Sequence, residues 1–189
     1  MTAPGIGHNS GRVSDPGESW RRHAWTRARA DLLPTLPIEV VRLRVRRAAE
    51  LGLPYKTYAG IRASTGQDLI GFLFSSNALR VLRDGQALPP ERAAHLAGLV
   101  RAARIGLAQG RVTPAALAAV PQIDAAHAAP APLASWAATR DHLRAILRAE
   151  GHPADQLLLV GETALEREWS EIGRLAGFLS ADRVFAATA

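Results

Sequence analysis

The apolar side chains of this chain are mostly small or aliphatic, and this limits the folds open to it. Hydrophobic residues make up 48% of the 189 residues, but aromatic residues make up only 5%. Most of the apolar fraction is alanine, leucine and valine. Such a composition favours helices that pack closely through small side chains, and a chain this apolar is not wholly disordered. We therefore expect a predominantly helical α+β protein.

Several classes of protein are excluded by what the sequence lacks. It contains no cysteine, so disulfides, thiolate metal sites and cysteine nucleophiles cannot occur. No apolar stretch approaches the roughly 20 residues that a membrane span requires. The first residues also lack the pattern of a secretory signal. We expect a cytoplasmic protein with no membrane partner, no metal and no cofactor.

The positive charge is concentrated near the N-terminus. The formal net charge is +6, and Lys56 is the single lysine among the basic residues. Residues 1–66 hold 11 basic and 5 acidic groups, whereas residues 67–189 hold 12 of each. A local excess of this kind suggests a surface that faces a polyanion, and DNA is the first candidate.

Proline and glycine divide the chain into four predicted segments. Residues 1–17 form a glycine-rich leader that we expect to be flexible, and the role of its glycine-rich run is left open. Residues 18–120 form a basic, mainly helical domain. Residues 121–132 are rich in proline and alanine and are predicted to be a linker. Residues 133–189 form a small αβα unit, so the fold is a helical N-terminal half followed by this unit.

The periodicity of apolar residues and the turn signals predict the individual elements. Helices are expected at residues 19–33, 38–51, 56–64, 77–83, 90–108, 133–150 and 161–175, with another after Thr113. Strands are expected at residues 156–160 and 183–186. Residues 67–74 are predicted to form a buried strand, and continuation of the preceding helix is the alternative.

Residues 45–62 resemble a helix-turn-helix. Ala48 is small enough to let two helices approach, and Gly52 supplies the left-handed turn four positions later. Tyr58 and Ile61 would pack the second helix onto the first. The residues expected to contact DNA phosphates are Arg42, Arg44, Arg46, Arg47 and Lys56, and those expected to contact bases are Thr57 and Arg62. An ordinary packed helical hairpin is the alternative. The leading hypothesis is a DNA-associated regulatory or replication-linked protein.

Residues 67–72 support a second hypothesis. Gln67, Ile70 and Phe72 are spaced as in the short peptides that dock on the bacterial sliding clamp, with a polar anchor followed by two apolar groups for a groove. The same apolar residues also suit the core of a strand. The alternative function is therefore a protein-binding adaptor or inhibitor.

An enzyme is the third hypothesis, and no catalytic residue is assigned. Glu162, Glu166 and Glu168 follow the predicted strand at residues 156–160, and open α/β sheets bind ligands at the ends of their strands. A solvated helical face is the alternative for these glutamates. The six histidines do not fall at metal-ligand spacing, which gives no reason to expect a metal site.

Overall fold

The computed structural model describes residues 36–185. The chain divides into two compact units, Met1–Val40 and Val41–Ala189. The predicted leader at residues 1–17 and the predicted helix at residues 19–33 lie outside the described residues. The fold below is that of the second unit.

Five strands form one parallel sheet. The strands are β1 (Gly71–Ser75), β2 (Ala103–Ala108), β3 (Ala125–Ala128), β4 (Leu157–Gly161) and β5 (Gly177–Ser180). Their order across the sheet is β3-β2-β1-β4-β5. This is the strand order of a doubly wound α/β fold, in which the chain builds outward from β1 in both directions.

Seven helices are found in the described part of the chain. They are α1 (Ile38–Glu50), α2 (Tyr55–Thr65), α3 (Pro90–Gly98), α4 (Pro114–Ala118), α5 (Trp136–Glu150), α6 (Ala164–Ile172) and α7 (Ala181–Phe185), with a 3-10 turn at Ala154–Gln156. Local sequence explains several helix ends: the hydroxyls of Thr113, Ser135 and Thr163 each accept a hydrogen bond from the first turn of the helix that follows.

The fold is α/β with a central parallel sheet, so the prediction of a predominantly helical α+β protein is wrong. The predicted helix at residues 90–108 ends at Gly98, and the chain continues as β2. The proline- and alanine-rich segment at residues 121–132 contains β3, which pairs with β2. Residues 183–185 of the predicted last strand lie instead in α7. Strand β1 overlaps the predicted strand at residues 67–74 but begins four residues later, and β4 lies within one residue of its predicted position.

Each face of the sheet carries its own core. Phe72, Phe74 and Val160 face a cluster that includes Tyr58 of α2 and Phe185 of α7. On the opposite face, Leu73, Ile105 and Leu159 pack against Leu143 of α5 and Trp169 of α6. The central strands β1 and β4 are therefore buried on both sides, as is usual in parallel sheets.

Helices α1 and α2 form a hairpin beside the sheet. Ala48 and Tyr58 are both 1% exposed, and Gly52 between the helices has φ of 60°. A side chain at Gly52 would have its Cβ 3.0 Å from the ring of His95 and 3.1 Å from Leu99. Because glycine alone accepts this backbone angle without strain, Gly52 fixes both the turn and the approach of the hairpin to α3.

Candidate ligand site at the carboxyl edge of the sheet

Three strands end in polar side chains at one edge of the sheet. Ser75 is the last residue of β1, and Ser76 and Asn77 follow it. Gln109 comes directly after β2, and Glu162 directly after β4. Because all strands are parallel, these residues share the carboxyl edge. The chain reverses its direction of building between β1 and β4, and ligands of open α/β sheets bind at such a switch point.

Glu166 is the centre of this polar cluster. It lies in the first turn of α6 and is completely buried. Its Oε1 accepts hydrogen bonds from Nδ2 of Asn77 at 3.1 Å and from Nε2 of Gln109 at 2.5 Å. Its Oε2 accepts from the backbone N–H groups of Glu162 at 2.5 Å and Thr163 at 2.8 Å. One carboxylate thus ties together the ends of β1, β2 and β4.

The Glu166 carboxylate is held in its ionised form. Burial by itself would raise the pKa of Glu166, but the hydrogen bonds more than offset this effect and lower the pKa below its usual value. The donors are the Gln109 side chain, the backbone N–H groups of Glu162 and Thr163, and the Ser75 hydroxyl. The stabilising groups are dipoles aimed at the charged form.

A glycine makes room for this carboxylate. A Cβ built on Gly161 would lie 2.8 Å from Oε2 of Glu166 and 2.8 Å from Cε2 of Phe178. Real Cβ atoms do not approach other atoms this closely. The last residue of β4 is therefore glycine because Glu166 folds back against the strand end.

Two arginines flank the cluster. Nη2 of Arg80 lies 3.0 Å from the Glu162 carboxylate, and Nη2 of Arg92 lies 3.8 Å from the same group. Arg92 is only 7% exposed, and its guanidinium stacks on the ring of Phe185 at 4.7 Å. Its Nε and Nη1 have no hydrogen-bond partner among the described residues. Burial lowers the pKa of Arg92, and the charge of Arg80 lowers it further, so the two cations are close enough to repel.

The loops after β1 and β2 are joined beside these arginines. The Asp84 carboxylate accepts hydrogen bonds from the backbone N–H of Thr113 at 2.7 Å and from its hydroxyl at 3.0 Å. Arg83 and Arg111 form an isolated β-bridge, and both are exposed. The loops after β1 and β2 therefore carry two further cations.

The buried hydroxyl and carboxylate groups at this edge already form hydrogen bonds within the fold. The hydroxyls of Ser75 and Ser76 are buried and accept hydrogen bonds from the backbone N–H groups of Ala78 and Gln109. Both oxygens of Glu166 are occupied by donors. Among residues 36–185 no three His, Asp or Glu side chains cluster in a way that could hold a metal ion.

The residues predicted to contact DNA are dispersed over the hairpin. Arg47 turns inward: its Nη2 donates to the carbonyls of Leu69 at 2.7 Å and Arg101 at 3.2 Å. Arg62 lies 3.5 Å from the Asp68 carboxylate. The other residues predicted to contact DNA differ in exposure. Arg42, Arg46 and Lys56 are exposed, and Arg44 and Thr57 are half-buried.

The clamp-like peptide lies within the sheet. Phe72 is 1% exposed in β1, the central strand. Ile70 is half-buried, its N–H donates to Gln156, and its carbonyl accepts from Ala103. Gln67 is exposed. Docking of Phe72 on a partner would require β1 to leave the sheet, so the geometry gives this hypothesis no support.

Sequence reasoning found part of the site. It singled out Glu162 and Glu166 at the end of a strand, and the structure brings both to the carboxyl edge, whereas Glu168 is exposed. The alternative of a solvated face does not apply to Glu166, which is buried. The residues missed were Ser75, Asn77, Arg80, Arg92 and Gln109. A polar run directly after the apolar residues of β1 was the signal that could have revealed the first two.

Comparison with known proteins adds no further constraint. The chain matches no protein-family model, no curated protein and no solved structure. Within residues 36–185, no helix has both the length and the apolar character needed to cross a membrane.

Proposed function

We propose that this protein binds a small anionic molecule at the carboxyl edge of its sheet, between the ends of β1 and β4. One observation carries the proposal: Arg80 and Arg92 lie together at the switch point of a doubly wound sheet, and buried Arg92 has two nitrogen atoms without a hydrogen-bond partner in the described part of the chain. The charges of Glu162, Glu91 and Asp182 act on Arg92, but buried N–H groups that lack an acceptor remain costly.

An anion at Arg80 would offset the repulsion between the two guanidinium groups. Glu162 is shared between both arginines, and its contact with Arg92 is long at 3.8 Å. Arg80 is the accessible member of the pair, with 51% of its side chain exposed. Clustered cations at a sheet edge also raise the local concentration of anions, and Arg83 and Arg111 add to this field.

Binding without catalysis is the form of the proposal that the geometry favours. A nucleophile or general base must reach the reacting atom. Here the hydroxyls of Ser75 and Ser76 and the oxygens of Glu166 are buried and already hydrogen bonded. In our proposal the Glu166 cluster holds the three strand ends in place, and the arginines contact the ligand.

The test is thermal unfolding and calorimetric titration with phosphate, pyrophosphate and citrate, at constant ionic strength set with chloride. A specific ligand stabilises the folded state by about 2.7 kcal/mol when its concentration is 100 times the dissociation constant. We expect a saturable stabilisation by at least one of these anions and its loss in Arg80→Ala. Arg148→Ala, an exposed arginine on α5, is the matched control and should behave as wild type.

Two outcomes would refute this proposal. The first is the absence of saturable stabilisation by all three anions. The second is binding that persists unchanged in Arg80→Ala, since the ligand would then lie elsewhere.

DNA binding through the α1–α2 hairpin is the second candidate. The observation in its favour is that Arg46 and Lys56 remain exposed on neighbouring helices of a region with a net positive charge. Arg47 and Arg62 are engaged by carbonyl and carboxylate groups of the fold, so fewer cations reach phosphates than the sequence suggests. We infer a weak, mainly electrostatic contact that is sensitive to salt.

Fluorescence anisotropy of labelled duplex DNA tests the second candidate at about 50 and 200 mM salt, the range in which phosphate contacts weaken steeply. Binding should decrease with salt and be lost in Arg46→Ala/Lys56→Ala. No binding at the lower salt concentration would eliminate it. Arg148→Ala again serves as the control.

A further inference from the structure

The outer edge of β5 borders a basic cleft. Among residues 36–185, β5 is the last strand of the sheet and pairs with β4 alone. The cleft has a volume of about 500 Å³ and lies between α2, β5 and α7. Its lining residues are Lys56, Thr57, Gly60, Ile61, Ser64, Ala176, Gly177, Leu179 and Arg183.

The backbone groups that face away from β4 belong to two of the lining residues. The N–H of Ala176 donates to Leu157 of β4 at 2.9 Å. Successive residues of a parallel strand direct their backbone groups alternately to the two sides. Gly177 and Leu179 therefore point their N–H and carbonyl groups outward, and both line the cleft. These are the hydrogen-bonding groups that an added strand would use.

The wall opposite β5 is one face of α2. Lys56, Gly60 and Ser64 are spaced four residues apart, so they lie in one stripe, and all three are exposed. A Cβ built on Gly60 would meet no atom within 4 Å, which leaves the middle of the stripe open. Lys56 on this wall and Arg183 of α7 are the charged groups of the cleft, and its lining includes no acid.

We propose that the edge of β5 binds an extended acidic segment of a partner protein, which adds to the sheet as a sixth strand. Main-chain hydrogen bonds to Gly177 and Leu179 would supply the pairing, and acidic side chains at alternate positions would meet Lys56 and Arg183. This is recognition by β-strand addition, in which the strand edge gives affinity and the flanking groups give specificity. The proposal is independent of the anion site, which lies at the carboxyl edge.

The experiment uses a fluorescein-labelled octapeptide of alternating valine and glutamate, titrated with the full chain and followed by anisotropy. We expect saturable binding that weakens at least about tenfold, equivalent to about 1.4 kcal/mol, in Lys56→Glu/Arg183→Glu. Arg148→Glu is the matched control for charge reversal and should bind as wild type. Circular dichroism establishes that each variant is folded.

Two N-methylated forms of the peptide test the strand geometry without altering the protein. One carries N-methyl groups on every valine and the other on every glutamate, so that each removes the N–H donors from one edge of the extended peptide. Strand addition uses one edge, and one of the two forms should therefore lose binding while the other retains it. Equal behaviour of the two forms would overturn the proposal.

Other outcomes also overturn it. One is the absence of saturable peptide binding up to about 1 mM, a concentration that corresponds to a binding free energy of only about −4 kcal/mol. Another is equally strong binding of a peptide of alternating valine and lysine. Equally effective competition by duplex DNA would assign the cleft to nucleic acid. Self-association that is lost in Lys56→Glu/Arg183→Glu, measured by sedimentation, would assign the edge to a second copy of the chain.

Discussion

Glu166 is a buried carboxylate whose charge is balanced by hydrogen-bond donors from three strand ends and from Thr163, the N-cap residue of α6. Substitution Glu166→Gln keeps the size but replaces one oxygen by an amide that donates. The two N–H groups that donate to that oxygen would then face the N–H groups of the amide. The charge of the carboxylate, which strengthens all four hydrogen bonds, would also be lost. We expect the free energy of unfolding, measured in urea at pH 7, to fall by about 2–4 kcal/mol.

The lowered pKa of Glu166 gives this contribution a pH dependence. Because the folded-state pKa lies below the ordinary value of 4.5, the unfolded chain takes up the proton first on acidification. The contribution is complete at neutral pH, decreases below about pH 4.5 and vanishes below the folded-state pKa. The stability difference between wild type and Glu166→Gln should therefore shrink as the pH falls from 5 towards 3. A difference that stays constant over this range would contradict the assignment.

Gly161 and Gly60 form a matched pair for close packing. In Gly161→Ala the new Cβ would overlap Glu166 and Phe178, so we expect a loss of about 1–3 kcal/mol in unfolding free energy. In Gly60→Ala the Cβ enters open space on an exposed helical position, and stability should rise by up to about 1 kcal/mol. Urea denaturation of both variants measures the sign of each change in unfolding free energy. Equal changes would show that the loss of backbone entropy, and not the contacts of the new Cβ, determines stability at both positions.

The edge strand β3 is held to β2 by one ion pair as well as by its backbone. The Asp124 carboxylate accepts from Nε of Arg104 at 3.1 Å, from Nη2 at 2.6 Å and from the Arg104 backbone N–H at 2.8 Å. The Arg104 side chain lowers the pKa of Asp124. In Asp124→Ala we expect faster hydrogen exchange of the β3 amides and a loss of about 1 kcal/mol. Asp141→Ala, which removes an exposed pair on α5, should leave β3 exchange unchanged.

The strands differ in how far they can be predicted from their own sequences. β1 and β4 are continuous apolar runs, and both were predicted near their true positions. β2 contains Arg104, whose charge is explained by the pair with Asp124 20 positions later. β3 is an Ala-Ala-His-Ala segment that has no intrinsic preference for strand. It forms a strand because its backbone pairs with β2. Both elements depend on pairing with residues that are distant in sequence, and single-sequence periodicity does not contain this information.

The same cause separates the predicted from the unpredicted part of the site. Glu162 and Glu166 were recognisable because they follow a clear strand and begin a helix. Asn77 and Gln109 became part of the site through the parallel order of β1, β2 and β4. Without the prediction of β2 as a strand, no sequence argument could bring Gln109 to Glu166, although their side chains are 2.5 Å apart.

The sheet joins segments that the sequence divides. β1 lies between β2 and β4. A strand from residues 18–120 therefore pairs directly with a strand from residues 133–189. The segment at residues 121–132, predicted as a linker, supplies β3. A boundary within this region would separate β4 from β1, the strand that pairs with its backbone groups.

We therefore expect the isolated fragment of residues 133–189 to lack stable structure. It retains β4 and β5 with α5, α6 and α7, but β4 would lose its pairing with β1. The full chain should unfold in a single transition, with the far-ultraviolet circular dichroism and the fluorescence of buried Trp169 changing together. A cooperative thermal transition of the fragment alone would instead favour two independently folding domains, because a self-sufficient αβα unit needs no strand from the first half.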